Sequence, residues 1–84
     1  MNNFDKKLIN LMAAVFKVKP SKIDKNITNR DIESWDSLRQ INLVSAIEVE
    51  FKIEISIEEA SEMLSYNIIS KRYFLGYIFS YQDI

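Results

Sequence analysis

The chain has 84 residues, 48% of them hydrophobic and 27% charged, with no cysteine and no histidine; this suits one small folded domain and excludes disorder, disulfides and cysteine-based metal sites. The net charge of −1 hides a division: residues 1–30 carry +5, residues 31–62 carry −7 and residues 63–84 carry +1. An acidic middle third repels phosphates and argues against nucleic-acid binding there, while leaving two readings open, a solvated helix face or a surface for basic proteins.

The start, Met1-Asn2-Asn3-Phe4-Asp5-Lys6-Lys7, lacks the apolar core of a signal peptide, and no apolar run is long enough to span a membrane. A soluble, monomeric cytoplasmic protein is the expectation, with residues 1–84 forming a single domain. Phe4, Leu8, Leu11, Met12, Val15 and Phe16 recur at the spacing of one helix face, with Asn3 as a cap and Pro20 as a stop. Residues 17–36 read as a long loop, rich in Lys, Asn, Asp and Ser, in which Ile23, Ile27, Ile32 and Trp35 are expected to pin the chain across the core. A short helical turn is expected after Pro20.

A second helix is expected from Ser37 to about Phe51, capped by Asp36, whose carboxylate can accept from the unpaired amides of the first turn. Leu43, Val44, Ile47 and Phe51 make its buried face; Leu38, Ile41 and Ser45 fall on another. Lys52-Ile53-Glu54-Ile55-Ser56-Ile57 alternates like a strand but has no partner, so it reads as an extended connector whose isoleucines enter the core. Ser56 and Glu59 have the spacing of a capping box for a short third helix through Glu58, Glu59 and Met63. Tyr73, Phe74, Tyr77, Ile78 and Tyr81 predict a last helix from about Ser70 to Tyr81, weakened by Gly76. The fold class is thus all-α: a small four-helix bundle with a long first loop and a short third helix.

The run Glu33-Ser34-Trp35-Asp36-Ser37-Leu38 places a serine where a polar loop gives way to an amphipathic helix. Without histidine or cysteine nearby in any fold, that serine lacks the usual partner of a catalytic nucleophile. Asp36-Ser37-Leu38, followed by Ile41-Asn42-Leu43-Val44-Ser45-Ala46-Ile47-Glu48-Val49-Glu50-Phe51, resembles the acyl carrier protein family. The resemblance continues through Lys52-Ile53-Glu54-Ile55 and Ile57-Glu58-Glu59-Ala60 and covers residues 4–64. It implies that Ser37 receives a 4′-phosphopantetheine group from coenzyme A, through a phosphopantetheinyl transferase, and that acyl chains ride on its thiol as thioesters. It implies further partners as well: an acyl- or aminoacyl-loading enzyme and an acyltransferase or synthase. By the same resemblance Asp36 and Leu38 are expected at the transferase contact, with Ile41 and Glu48 as further partner-recognition residues. Read as residues alone, Asp36 is a cap, Leu38 and Ile41 are partly packed and Glu48 is solvated. No catalytic residue and no metal ligand is expected.

The chain departs from the carriers of bacterial fatty-acid synthesis, which usually have acids two and five positions after the serine; here those positions hold Arg39 and Asn42. The Trp-Asp-Ser-Leu form is more similar to specialised stand-alone carriers. The expectation is therefore a carrier of a specialised biosynthetic pathway. The alternatives are an aminoacyl or peptidyl carrier, which uses the same serine and fold, and an unmodified helical interaction module.

Overall fold

The computed structural model describes residues 3–73. Four helices follow one another: α1 (Asn3–Phe16), α2 (Ser37–Phe51), α3 (Ile57–Glu62) and α4, of which residues 66–73 are described. A 3-10 turn at Pro20–Lys22 interrupts the long first loop, as the sequence predicts. The one bridge outside the helices joins Thr28 to Ser65 among the described residues.

One core serves all four helices. Phe4, Leu8, Met12, Ala13 and Phe16 enter it from α1, Leu43, Ile47 and Phe51 from α2, Met63 from the end of α3, and Tyr66, Ile69 and Tyr73 from α4. Leu11, Val15 and Val44, expected on buried faces, are partly buried against it. The Phe4 and Phe51 rings lie 5.3 Å apart at a tilt of 34°, which joins the start of α1 to the end of α2.

The loop of residues 17–36 is a packed part of the fold. Ile23, Ile27, Ile32 and Trp35 are all buried. The Tyr66 amide donates to the Ile27 carbonyl at 3.0 Å and the Asn29 amide to the Leu64 carbonyl at 2.9 Å, which stitches the loop to the α3–α4 connection. Short side chains close its turns: Asp24 accepts from the Asn26 amide at 2.8 Å, and Asp31 accepts from the Thr28 amide at 2.9 Å.

Both long helices end on a lysine in the left-handed region. Lys17 has φ 56° and Lys52 has φ 55°. The Val18 amide then reaches the Ala13 carbonyl at 3.0 Å, and the Ile53 amide reaches the Glu48 carbonyl at 3.2 Å. These are the six-to-one bonds of a Schellman ending, made here without glycine. Val18 and Ile53 pack on the core beside them.

The capping of α3 follows the expectation: the Ser56 hydroxyl accepts from the Glu59 amide at 3.1 Å. Two expectations need correction. Ile53 and Ile55 are partly buried against the core, but Ile57 is exposed. It is the first residue of a helix of six with no buried member. The last helix begins at residue 66, not near Ser70. Its cap is Ser65, whose hydroxyl accepts from the Ile68 amide at 3.1 Å. Tyr66, Asn67, Ile68 and Ile69 are indifferent helix formers, and burial of Tyr66, Ile69 and Tyr73 at helical spacing overrides that propensity. Gly76, Tyr77, Ile78 and Tyr81 lie outside the described residues.

Two tyrosine hydroxyls tie α4 to the rest. Tyr66 donates to Asp5 of α1, and Tyr73 donates to Glu59 of α3 at 3.2 Å. Burial first, then the neighbouring carboxylate, pushes the Tyr73 hydroxyl up to about 12, and burial followed by the Asp5 bond raises Tyr66 as well. A folded-state value raised above the unfolded one gives stability that is complete below the ordinary tyrosine value of about 10 and is lost as pH rises through the folded value. Urea midpoints should therefore be flat to about pH 10 and fall steeply above it. The Tyr66→Phe, Tyr73→Phe double variant should be less stable at neutral pH and show a shallower alkaline fall.

Candidate functional site

Ser37 is the first residue of α2, and its side chain is exposed. Three neighbouring contacts determine where that helix starts. Asp36, in extended conformation, accepts from the Arg39 amide at 2.8 Å and so fills the N-cap position read from the sequence. Trp35 is buried, stacked on Phe16 with ring centroids 4.4 Å apart, and its indole N–H donates to Gln40 Oε1 at 2.6 Å. Gln40 Nε2 in turn donates to the Ala60 carbonyl at 2.8 Å and the Met63 carbonyl at 3.1 Å, which ties α3 to the first turn of α2.

The same junction caps the end of α1. The last carbonyls of a helix lack partners within it and carry partial negative charge. Ser34 Oγ donates to the Phe16 carbonyl at 2.7 Å, and Arg39 Nη1 donates to the Val15 carbonyl at 2.6 Å. Arg39 is half-buried, and its cation lies where the α1 dipole favours one. Beside it an open groove of about 600 Å³ is lined by Phe16, Val18, Ile27, Ile32, Ser34 and Arg39, among others. Residues two apart on a helix do not share a face, so this groove and the Ser37 hydroxyl look to different sides of α2.

The other site residues separate into two groups. Leu38 and Ile41 are exposed on the outer side of α2, near Ser37. Glu48 lies 11 residues further on, roughly 16 Å along the helix axis. It is half-buried, and its Oε2 accepts from the Ile55 amide at 2.9 Å, which fixes the connector to α3. The structure thus gives Glu48 an intramolecular partner and sets it apart from the Ser37 group.

Sequence reading passed over Gln40 and Ser34. Gln40 carried a usable signal: it sits three residues before Leu43 and seven before Ile47, on the buried face, where a polar side chain needs partners. Ser34 carried none, since its partner is 18 residues away. Among the described residues there is no cluster of metal-ligating side chains and no helix long and apolar enough to cross a membrane.

Fold and site together describe a small all-α domain that displays a serine at the capped start of a helix. Comparison with curated proteins gives an acyl carrier protein of Buchnera aphidicola subsp. Schizaphis graminum, 41% identical over 63 residues, which are 75% of this chain and 80% of that protein. No family model matches the chain. At that identity and coverage the chain belongs to the acyl carrier protein family.

The junction contacts make a stability prediction. Asp36→Ala should cost about 1 kcal/mol through loss of the cap. Arg39→Ala should cost about 2 kcal/mol, because it leaves a half-buried carbonyl without its charged donor. Chemical denaturation checks both, and an Arg39→Ala midpoint equal to that of the parent would show that the Val15 contact contributes nothing.

Proposed function

We propose that Ser37 is the attachment point for 4′-phosphopantetheine, and that the chain holds acyl intermediates as thioesters for a specialised biosynthetic pathway. One observation carries this reading: in a chain of the acyl carrier protein family, the exposed Ser37 opens α2 directly above the Asp36 cap. The residues present suit the group. A phosphodiester on Ser37 puts its negative charge beside the first-turn amides and the positive end of the dipole of a 15-residue helix. The hydroxyl is reachable from solvent, and Asp36 and Trp35 hold its backbone in place from below. When attached, the group supplies the thiol on which acyl chains are carried.

The protein's part in this is display and recognition. Ser37 Oγ would form the new phosphate ester as the pyrophosphate P–O bond of coenzyme A breaks and adenosine 3′,5′-bisphosphate leaves, with the serine proton passing to a base on the transferase, since this chain has no histidine or cysteine to take it. Its role is that of a carrier and not an enzyme. Its partners are a phosphopantetheinyl transferase, then a loading enzyme and an acyltransferase or synthase. Asp36, Leu38 and Ile41 surround the serine and are the residues proposed to meet the transferase; Glu48 acts at a distance, by fixing the connector to α3.

The specialised pathway is supported by the chemistry around the serine. Arg39 spends its charge on the end of α1, and Asn42 and Ser45 are neutral and exposed. This leaves the outer side of α2 without the acids that fatty-acid carriers usually present there. An aminoacyl carrier would use the same serine; loading of the modified protein by an adenylating enzyme with an amino acid, and not by acyl transfer, would favour it.

Incubation with coenzyme A and a broad-specificity phosphopantetheinyl transferase should add one phosphopantetheine to the intact mass. Ser37→Ala should gain nothing while keeping the parent's denaturation midpoint, since the hydroxyl is exposed. An unmodified parent, under conditions that fully modify another carrier, would leave the helical interaction module as the better reading.

A further inference from the structure

The open groove at the end of α1 has no part in the display of Ser37. Phe16, Val18, Ile27 and Ile32 give it an apolar floor, and its rim carries Lys17, Lys22, Asp31 and Glu33 together with Arg39. Three cations and two carboxylates leave the lining with a net charge of +1. These groups are not equally available. Asp31 accepts from the Thr28 amide and hydroxyl, and Arg39 donates to the Val15 carbonyl. Lys17 and Lys22 are exposed and join no ion pair among the described residues. Lys17 is placed on the rim by the left-handed turn at φ 56° that ends α1, and Lys22 by the 3-10 turn that starts at Pro20.

We propose that this groove binds a free amphipathic carboxylate: a short aliphatic acid whose chain lies on the apolar floor and whose carboxylate meets Lys17 and Lys22. Size and charge specify the occupant. A volume of about 600 Å³ falls within the roughly 300–1,000 Å³ of small-molecule sites. It takes only about one turn of a helix 10–12 Å across, too little for a partner helix to lie in. A lining of net +1 suits a single negative charge, and the Asp31 and Glu33 carboxylates repel a head group that carries two. The occupant is also distinct from cargo on an arm at Ser37. The serine looks to another side of α2, and a thioester carbonyl has no charge to offer the lysines.

The fold supplies a reporter for this site. A ligand on the floor touches Phe16, and Phe16 stacks on Trp35, the one tryptophan of the chain. Indole fluorescence therefore follows occupancy, and backbone amide shifts in NMR locate it. The probe is sodium octanoate, with 1-octanol as its uncharged counterpart, titrated into the full-length protein at constant ionic strength. A Lys17→Gln, Lys22→Gln double variant removes both cations and keeps long side chains in their place. Glu33→Gln removes a carboxylate, and Ser37→Ala removes the attachment point. All these side chains are exposed, and circular dichroism verifies that each variant is folded.

Octanoate should saturate a single site with a Kd on the order of 1 mM. The largest amide shifts should fall at Val18, Ile27, Ile32 and Glu33. The double Gln variant should bind octanoate about fivefold more weakly and 1-octanol as the parent does, and Glu33→Gln should bind octanoate about twofold more tightly. Ser37→Ala should match the parent with both probes. A response that does not saturate would overturn the proposal, as would an octanoate affinity that the double Gln variant leaves unaltered. Shifts centred on Leu43, Ile47 and Ile69 would do the same, since they would place the acid in the core. The reading of Ser37 stands or falls on mass gain and is untouched by any of these outcomes.

Discussion

A relay of side-chain contacts runs from the end of α1 through Trp35 to α3, and the position of Ser37 depends on it. Phe16 stacks on Trp35, Trp35 donates to Gln40, and Gln40 donates to the Ala60 and Met63 carbonyls. The indole N–H and the amide of Gln40 are costly to bury without partners, so each contact holds the next in register. Ser34 and Arg39 complete the junction by capping α1 from the far side. The long loop ends at a determined point, and the next residue begins a helix.

That junction matters because the domain is small. A chain of this size buries only a modest share of its surface, so the loss of one or two polar contacts is a large part of its stability. The molecule meets this by drawing its loop into the core and by employing charges as internal fasteners. The three surface ion pairs among the described residues add little, since exposed pairs contribute roughly 0–1 kcal/mol each. Arg39 on a helix-end carbonyl and Glu48 on a connector amide contribute more, because each is a charged partner to a part-buried backbone group.

What could be read from the sequence was local. Asp36 and Ser56 were legible as caps because their partners are three residues away. The buried faces of α1 and α2 were legible from spacing, and the isoleucines of the first loop from their isolation among polar residues. The partners of Arg39, Gln40 and Glu48 were not legible. Arg39 and Gln40 reach across 20 or more positions, and Glu48 spans a helix end whose lysine turns left-handed. The start of α4 was missed for a related reason: Tyr66 and Ile69 are helical because the core needs them there. Ser37 was singled out through the motif, and the structure adds its exposure and the contacts that hold its neighbours.

Those neighbours determine how experiments on the site must be read. Trp35, Asp36, Arg39 and Gln40 each make a contact that holds the fold together. A loss of carrier activity on changing any of them mixes recognition with stability. Ser37, Leu38 and Ile41 are exposed. None of the three makes a junction contact, so substitutions there leave the junction intact. The fold thus divides the site by face: the inner side of the first turn of α2 fixes the geometry, and the outer side is left exposed. Arg39 belongs to the inner side, because its guanidinium donates to the Val15 carbonyl and so joins the first turn of α2 to the end of α1.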